Sequence, residues 1–295
     1  MERKNMFAGL MRGRCLVFGM AFVLSLLLVQ SCNLPESPAQ RSQRRFRFIF
    51  ANDIHFRGEK DAVMLTKVIN EWKTDVPQWD FAVVAGDLTN HGNIEKMKLL
   101  KDILDKMGKP YYPIIGNSDI TAPGDSGKKN YFAVFGEHRG DYLVVHKNVV
   151  LIFLDLSNDD KKQVEVLVST KLWLKKMLAF VPTTTPIIVF SHYPLHPESP
   201  RFGVFNSIEL FRLFDDHNVL AYFSGHYHAR WSGYRNGVPF FTNARLLPNW
   251  KIGDKYPGSG YMIVDVYKAT VGISYKETEY GEVKTRVDEG ERGTD

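Results

Sequence analysis

The chain has 295 residues, of which 44% are hydrophobic and 13% aromatic, which is enough apolar material for a full globular core. The formal net charge at pH 7 is +5, and no basic run interleaves with aromatic residues, so the sequence does not indicate a nucleic-acid-binding patch. With two cysteines only, Cys15 and Cys32, the chain is not a scaffold held together by a disulfide framework.

The N-terminal 31 residues have the composition of a secretory signal peptide. The segment MERKNMFAGLMRGR carries four basic residues and one acidic residue, and the apolar run CLVFGMAFVLSLLLV follows it. That run of 15 residues is shorter than the ~20 needed to cross a bilayer. The sequence LVQSC resembles a bacterial lipobox, in which Cys32 is lipidated and becomes the first residue of the mature chain. A plain signal peptide is the alternative.

Residues 32–44 form a polar tether in this interpretation, and residues 45–277 form one folded domain. The tether is rich in Pro, Ser and Gln, as solvated linkers are. Residues 278–295 contain few apolar side chains and are expected to form a charged C-terminal tail. We therefore expect an exported protein of the periplasm or cell envelope, anchored to a membrane through lipidated Cys32.

Short apolar runs alternate with helical patterns from residue 45 onward. The runs RFRFIF, FAVVA, YYPII, PIIVF and VLAYF each stop at a turn or polar residue, as buried strands do. Helical spacing is found in DAVMLTKVINEW, IEKMKLLKDILDKMG, VEVLVSTKLWLKKMLAF and SIELFRLFDDHN. This alternation predicts a layered α/β fold. After Gly233 only strand-like runs follow, VPFFTNA, GYMIVDVY and TVGISY, which suggests a second sheet packed on the first.

Each of the five strand-like runs leads into residues that can bind a metal ion. These residues are Asp53 and His55, then Asp87, Asn117, His192, and finally His226 and His228. Because ligands bind at the carboxyl ends of strands in open α/β sheets, we expect the five strand ends to converge on one crevice. Singly, an Asp after a strand is an ordinary turn residue and a lone His an ordinary structural one. Together, DIH, GD, GN, SH and GHYH predict a metal site.

The chemistry of these seven side chains indicates which metals they suit. Two carboxylates, one amide oxygen and four imidazoles form a mixed nitrogen and oxygen set without sulfur, which favours Mn, Fe, Zn or Ni over Ca or Mg. If one carboxylate is shared, these seven residues supply four ligands to each of two metal sites. Two divalent ions bring four positive charges and Asp53 and Asp87 return two negative ones, so the centre attracts an anionic phosphate.

With these motifs, residues 45–276 resemble the calcineurin-like metallophosphoesterase superfamily. The resemblance implies an α/β four-layer sandwich, in which two mixed β-sheets pack face to face with helices outside. It also implies that Asp53, His55, Asp87 and His228 hold one divalent ion. Asp87, Asn117, His192 and His226 then hold the other, with Asp87 as the bridge. The segment VVAGDLTNHG and the spacing through GHYH look most like the cyclic-nucleotide phosphodiesterase and glycerophosphodiesterase branch.

Ser118 departs from the family pattern, because family members have a histidine at this position of GNSD. The resemblance implies that this histidine stabilises or protonates the leaving oxygen and that its partner, here Asp119, orients it. A serine hydroxyl is a poor proton donor near neutral pH, and general acid catalysis contributes ~10²–10⁴-fold. His91, in GDLTNHG, and His196, in SHYPLHP, are candidate replacements, although each has an alternative interpretation as an ordinary polar loop residue.

The expected activity is hydrolysis of a small phosphoester, a diester rather than a monoester, by a hydroxide held between two divalent metal ions. Arg230, Trp231, Arg245 and Trp250 are candidates for the pocket wall, since Arg suits a phosphate, or else for packing at a strand edge. Two alternatives stay open. One is a non-catalytic surface lipoprotein that binds metal or phosphate and has lost the catalytic histidine. The other is a hydrolase of the same fold that acts on nucleotides, pyrophosphate bonds or lipid head groups. The sequence carries no sign of the oligomeric state.

Overall fold

The computed structural model describes residues 43–121, 127–157, 164–199, 203–248 and 258–278. The signal peptide, Cys32 and most of the tether and the tail therefore lie outside the described residues. Thr278, the first residue assigned to the tail, is 7% exposed, and its hydroxyl donates to the backbone oxygen of Leu246 at 2.9 Å. The folded part of the chain thus includes this residue.

Eleven described strands form two mixed sheets. The strands are β1 (Phe46–Ala51), β2 (Phe81–Ala85), β3 (Tyr111–Ile114), β4 (Tyr142–His146), β5 (Val149–Leu154), β6 (Ile187–Ser191), β7 (Val219–Ser224), β8 (Trp231–Arg235), β9 (Val238–Thr242), β10 (Gly260–Val266) and β11 (Val271–Glu277). The first sheet has the order β11-β10-β1-β2-β3, with β1, β2 and β3 parallel. The second has the order β4-β5-β6-β7-β9-β8, with β5, β6, β7 and β9 parallel.

The described helices are α1 (Glu59–Asp75), α2 (Ile94–Asp105), α3 (Gly127–Phe135), α4 (Val168–Leu178) and α5 (Ser207–Arg212), with a 3₁₀ turn at Ser118–Ile120. Helix α1 buries Leu65, Val68, Ile69 and Trp72, which share one face at helical spacing. Helix α2 begins at Asn93, whose side-chain oxygen accepts a hydrogen bond from the Lys96 amide at 3.0 Å. Helix α2 lies within the segment predicted from the spacing of apolar residues, whereas α1 contains its predicted segment, residues 61–72, and extends beyond it at both ends.

The two sheets face each other through an aromatic layer. Phe48 and Phe50 of β1 contact Phe190 of β6 and Phe223 of β7, with ring centroids 5.3 to 6.1 Å apart. Alternate residues of each strand point to this layer, as the pleat of a strand requires. The other face of the first sheet packs against α1, α2 and α3, and the other face of the second sheet packs against α4 and α5. The predicted four-layer sandwich is confirmed.

Two details of the predicted architecture are wrong. The strands after Gly233 do not form a sheet of their own: β9 continues the second sheet, whereas β10 pairs with the free edge of β1 in the first. The helix predicted from Val164 begins only at Val168, because the backbone of Val166 exchanges hydrogen bonds with the side chain of Asn206 at 2.7 and 3.1 Å.

The described helices are amphipathic or short. In this part of the chain, no helix is both long enough and apolar enough to cross a bilayer.

Candidate metal centre

The seven predicted ligands meet where the carboxyl ends of strands from both sheets come together. Asp53 and His55 follow β1, Asp87 follows β2, and Asn117 follows β3, all in the first sheet. His192 follows β6, and His226 and His228 follow β7, in the second sheet. Backbone hydrogen bonds join the loops, from the Asp53 amide to the Gly86 oxygen at 3.0 Å and from the Gly225 amide to the His192 oxygen at 2.9 Å. The His226 amide, after a strand of the second sheet, donates to Asp53 Oδ2, after a strand of the first, at 2.8 Å, so the crevice lies between the two sheets.

Four side chains form the first ligand group, Asp53, His55, Asp87 and His228. His228 Nε2 lies 3.1 Å from Asp53 Oδ1, and His55 Nε2 lies 3.4 Å from Asp87 Oδ2. The two imidazoles bring their Nε2 atoms to 3.1 Å from each other. One ligand atom from each residue falls within 4.8 Å of all the others, which is close enough for a single ion.

Asp87 also belongs to the second group, with His192 and His226. His192 Nε2 lies 3.3 Å from Asp87 Oδ1 and 3.2 Å from His226 Nδ1. The amide oxygen of Asn117 lies 3.2 Å from His192 Nε2, so Asn117 faces the same group. The two oxygens of Asp87 thus point to different groups, Oδ2 to the first and Oδ1 to the second, as a bridging carboxylate requires.

Partners outside the ligand set orient two of the imidazoles. His192 Nδ1 donates to the Ala85 backbone oxygen at 2.9 Å, and His55 Nδ1 lies 2.8 Å from the side-chain oxygen of Asn90. These bonds place the proton on Nδ1 and leave the Nε2 lone pair of each ring for a metal ion. Asn90 was missed in the sequence. Its position three residues after Asp87 could have indicated a role at the site, but asparagine is common in turns and does not by itself indicate one.

Burial and neighbouring charges set the ionisation of the ligands. Burial lowers the pKa of His226 to about 3, with His192 adding to the effect, and burial also lowers the pKa of His55 despite Asp87. Burial opposes ionisation of Asp53, yet the neighbouring His228 and His192 hold its pKa well below the usual range. Neutral imidazoles and ionised carboxylates are the forms that bind metal ions.

Five of the ligand residues have a left-handed backbone. The φ angles are 50° at Asp53, 50° at His55, 48° at Asp87, 63° at His226 and 56° at His228. Only ten non-glycine residues in the described ranges have a positive φ, so half of them are predicted ligands. Such conformations cost free energy and accumulate at functional sites.

Glycine precedes three of the ligands because the loops pass each other too closely for a side chain. A Cβ atom at Gly86 would overlap the His192 ring, and one at Gly116 would overlap the backbone nitrogen of Asp87. A Cβ atom at Gly225 would lie 2.6 Å from Asp53 Oδ2. Each glycine of GD, GN and GH therefore makes room for a ligand that another strand supplies.

Ser118 and Asp119 lie beside Asp87. The Ser118 amide donates to Asp87 Oδ1 at 2.7 Å, and the Ser118 hydroxyl donates to Asp87 Oδ2 at 2.9 Å. The Asp119 carboxylate is fully buried and accepts hydrogen bonds from the amides of Leu88, Thr89 and Gly116 at 2.9 to 3.1 Å. Burial, with the Asp87 charge adding to it, raises the pKa of Asp119 to about 7. The catalytic roles of both residues stay predictions.

The two candidate replacement histidines occupy different environments. His91 is exposed, on the loop after Asp87, with a φ of 64°. His196 is 4% exposed and packs between Trp231 and Phe240, with ring centroids 5.0 and 4.9 Å away. Its Nε2 donates to the Tyr234 backbone oxygen at 3.3 Å and its Nδ1 accepts from the Glu198 amide at 3.1 Å. Both nitrogens of His196 therefore already have protein partners, and its acid role is still only predicted.

The candidates for the pocket wall also occupy different environments. Arg245 is 3% exposed, and its charge acts on His55 and His228, so it lies close to the first ligand group. Arg230 is exposed and stacks on Tyr275, with its guanidinium carbon 4.0 Å from the ring centroid. Trp250 lies outside the described residues.

The residues present fit the predicted metal ions. The donor set is two carboxylates, one amide oxygen and four imidazoles, all directed at two adjoining points. The hydrogen-bonded Nδ1 atoms of His55 and His192, and the lowered pKa values of His55 and His226, keep ring nitrogens available as ligands. Histidine and carboxylate donors without sulfur suit Mn, Fe, Zn or Ni.

A four-layer fold with a ligand cluster of this kind is typical of metallophosphoesterases. The sequence matches the calcineurin-like phosphoesterase family over residues 46–230, which is more than half of the chain. The chain belongs to the calcineurin-like phosphoesterase family. The predicted class, hydrolases that act on phosphoester bonds, is the class of this family.

Curated relatives are similar at low identity. A probable cyclic nucleotide phosphodiesterase from Rhodopseudomonas palustris is 26% identical over 68% of this chain and 78% of its own length. A probable glycerophosphodiester phosphodiesterase from Arcobacter nitrofigilis is 29% identical over 40% of this chain, and the match spans only 43% of that protein. A serine/threonine-protein phosphatase from Danio rerio is 24% identical over 64% of this chain and 66% of its own length.

Solved structures share the fold. Purple acid phosphatase PPD1 from yellow lupin seeds has a TM-score of 0.58 at 16% identity, over 79% of this chain and 51% of that one. GAP50 of Plasmodium, an anchor in the inner membrane complex, has a TM-score of 0.56 at 16% identity, over 81% of this chain and 86% of its own.

Proposed function

We propose that the protein is a metal-dependent phosphoesterase that hydrolyses a phosphodiester. The observation that carries this proposal is the pair of ligand groups that share Asp87. Two divalent metal ions bound there would supply a hydroxide nucleophile and polarise the phosphoryl oxygens. The names of two curated relatives, both probable phosphodiesterases, support a diester as the substrate.

The side chains of this protein support such a reaction by charge and orientation. Asp53 and Asp87 leave two ions with a net charge of about +2, which favours a substrate that carries phosphate. Arg245, buried close to the first ligand group, adds a further positive charge on the same side. Asn90 and the Ala85 oxygen hold the rings of His55 and His192 at fixed orientations, so the ligands are arranged before a substrate arrives.

With serine in place of histidine at position 118, we expect faster hydrolysis of substrates whose leaving group needs little protonation. Without the imidazole of the family pattern, general acid catalysis worth ~10²–10⁴-fold is lost for alkoxide leaving groups. The same substitution supports a second candidate, a surface lipoprotein that binds metal or phosphate without turnover. A nucleotide or pyrophosphate hydrolase of this fold is the third.

A panel of esters tests these candidates. The protein is reconstituted separately with Mn, Fe, Zn and Ni and assayed with bis-nitrophenyl phosphate, nitrophenyl phosphate, a glycerophosphodiester, a cyclic nucleotide and a pyrophosphate compound. We expect the aryl diester to be cleaved fastest, and the alkyl diesters more slowly. Two bound ions with no turnover of any ester would support the binding protein instead, and preference for pyrophosphate would support the third candidate.

We also propose that the protein is exported and held at a membrane of the cell envelope by lipid on Cys32. Support comes from the basic segment, the apolar run and LVQSC. Stable anchoring takes two or more acyl chains, because one chain binds only marginally. The wild-type protein should partition with membranes, and Cys32→Ala should be soluble or unprocessed. Mass spectrometry that finds a mature wild-type chain with unmodified Cys32 would exclude this anchor.

A further inference from the structure

Ser118 gives both of its donors to the same carboxylate. Its amide donates to Asp87 Oδ1 at 2.7 Å and its hydroxyl donates to Asp87 Oδ2 at 2.9 Å. Asp87 is 2% exposed, and it is the residue shared by the two ligand groups. Because each oxygen receives one bond from a single residue, the plane of the carboxylate is held at both ends.

The reverse connection comes from the next residue. The Asp119 carboxylate accepts from the Leu88 amide at 3.1 Å and from the Thr89 amide at 2.9 Å. In the loop after β2, the Asp87 carboxylate thus accepts hydrogen bonds from Ser118, and the amides of the next two residues donate to Asp119. These reciprocal bonds fix the distance between the two loops, and so the Ser118 hydroxyl stays within reach of Asp87.

The hydroxyl proton of Ser118 is therefore already committed. The Ser118 oxygen also lies 3.4 Å from the side-chain nitrogen of Asn117, which donates to it. Ser118 accepts from one predicted ligand and donates to another. The nearest nitrogen of an imidazole is two bonds beyond Cβ, whereas the serine oxygen is one, so a histidine here would place its donor at a different point.

Metal ligation and these bonds are compatible. An ionised carboxylate has about four lone-pair positions, of which Ser118 uses two. The remaining sides face His55 Nε2, 3.4 Å from Oδ2, and His192 Nε2, 3.3 Å from Oδ1. One lone pair on each oxygen is left for each ligand group.

We propose that Ser118 is a positioning residue for the bridging carboxylate of Asp87, and not a substitute proton donor to the leaving group. This inference rests on the metal-binding part of the proposed function. It predicts that removal of the hydroxyl weakens metal binding before any substrate is present.

Calorimetric titration of metal-free protein with Mn²⁺ tests the proposal. Ser118→Ala should bind Mn²⁺ about 10–100-fold more weakly, as losses of outer-shell partners do, and Ser118→Thr should restore most of the affinity. Thr121→Ala is the matched control, because the Thr121 hydroxyl donates to the Ser118 backbone oxygen at 3.0 Å and, among the described residues, to no predicted ligand. Wild-type affinity in Ser118→Ala, or no Mn²⁺ binding in the wild type, would overturn the proposal. Should Ser118→Ala fail to fold, Ser118→Gly serves in its place, with the same expected weakening and the same overturning result.

Kinetics at saturating Mn²⁺ separate positioning from acid catalysis. If Ser118 positions Asp87, kcat of Ser118→Ala should fall by the same factor on nitrophenyl and alkyl diesters. A larger fall in kcat on alkyl diesters would indicate that Ser118 assists the leaving group, and would overturn the proposal. Wild-type protein that binds two ions but cleaves no ester would refute the proposed activity, while the calorimetric result would still decide the role of Ser118.

Discussion

The ligand residues combine two properties that are seldom required together. They must offer a metal ligand, and five of them must also adopt a left-handed backbone. Asp and His are among the few non-glycine residues that enter this region with some frequency. At Asp53, Asp87 and His228 the same residue type therefore meets the chemical and the conformational demand. A substitution at these positions changes the backbone free energy as well as the ligand.

Asp87 can be distinguished from ligands that belong to one group only. Asp87→Asn removes a charge from both groups, so we expect metal content to fall from two ions to less than one, with activity lower by on the order of 100-fold. His228→Gly removes one imidazole from the first group and tolerates the φ of 56°, so about one ion should stay bound. Metal content is measured by mass spectrometry after reconstitution. Two ions and full activity in Asp87→Asn would contradict the assignment.

The convergence of the candidate ligands could be predicted from the sequence because each lies within four residues of the end of a strand, where a short motif is visible. Their supporting residues could not. Asn90 acts on His55 across 35 positions, and Asn52 reaches the Asp53 carboxylate at 2.5 Å while it pairs with Asn243, 191 positions away. His196 shows the converse. Its position beside a ligand motif suggested catalysis, but its ring packs against aromatic residues that only the tertiary fold brings near.

At the scale of elements, most strands and helices follow from local periodicity, whereas their pairing does not. Strand β10 was recognised as a strand, but its place beside β1 depends on hydrogen bonds between residues more than 200 positions apart, such as the register of Phe46 with Val266. Strands β4 and β8 lie at sheet edges and have half-exposed patterns, so their sequences carry a weaker signal. Local sequence determines the element, and the available edges of neighbouring strands determine its partner.

The close passage of the loops makes Gly116 a sensitive position. Gly116→Ala should destabilise the protein by about 1–3 kcal/mol, because the added methyl meets the backbone of Asp87 and cannot be accommodated without moving a ligand. Metal content should fall with it. Urea unfolding measures the first effect and mass spectrometry the second.

Gly140→Ala is the control for this change. A Cβ atom there meets Phe132 at 3.6 Å, an ordinary contact, so its stability should stay within about 1 kcal/mol of wild type. Equal stability and equal metal content in both variants would show that the loops around Gly116 can relax.

At the scale of the whole molecule, a partly buried polar cluster outside the ligand set joins several elements. Asp155 pairs with Lys128 at 2.7 Å, and Asp141 accepts from the Asp155 amide at 2.9 Å and from the Thr170 hydroxyl at 2.7 Å. Burial raises the pKa of Asp141 to about 6, against its hydrogen bonds. The cluster joins β5 to helices α3 and α4, so its ionisation affects the fold as a whole.

Stability should therefore fall between pH 4 and 6. In that window the unfolded chain has released the Asp141 proton, near pH 3.8, while the folded chain still holds it, so the unfolded state binds fewer protons and the free energy of unfolding decreases as pH rises. The contribution is about 2 kcal/mol. Asp119, whose pKa burial raises to about 7, contributes in the same direction, so Asp141→Asn should make this part of the profile less steep without removing its slope, as measured by urea unfolding at several pH values.

Asp105→Asn provides the comparison. Burial opposes ionisation of Asp105, but the hydrogen bonds from Lys101 and Tyr111 lower its pKa, so it titrates below this window and its removal should leave the slope between pH 4 and 6 unchanged. If Asp141→Asn keeps the wild-type slope, another group is responsible for it.

The contact between Asp53 and His228 has a consequence for the order in which the molecule forms. These two residues of one ligand group are 175 positions apart, and their atoms meet at 3.1 Å. No short stretch of the growing chain contains a complete group, so an ion cannot nucleate folding locally as it does in a zinc finger. Most of the loop-closure entropy must be lost before the ligands converge. A complete first ligand group therefore exists only after synthesis has passed residue 228 and the two sheets have come together.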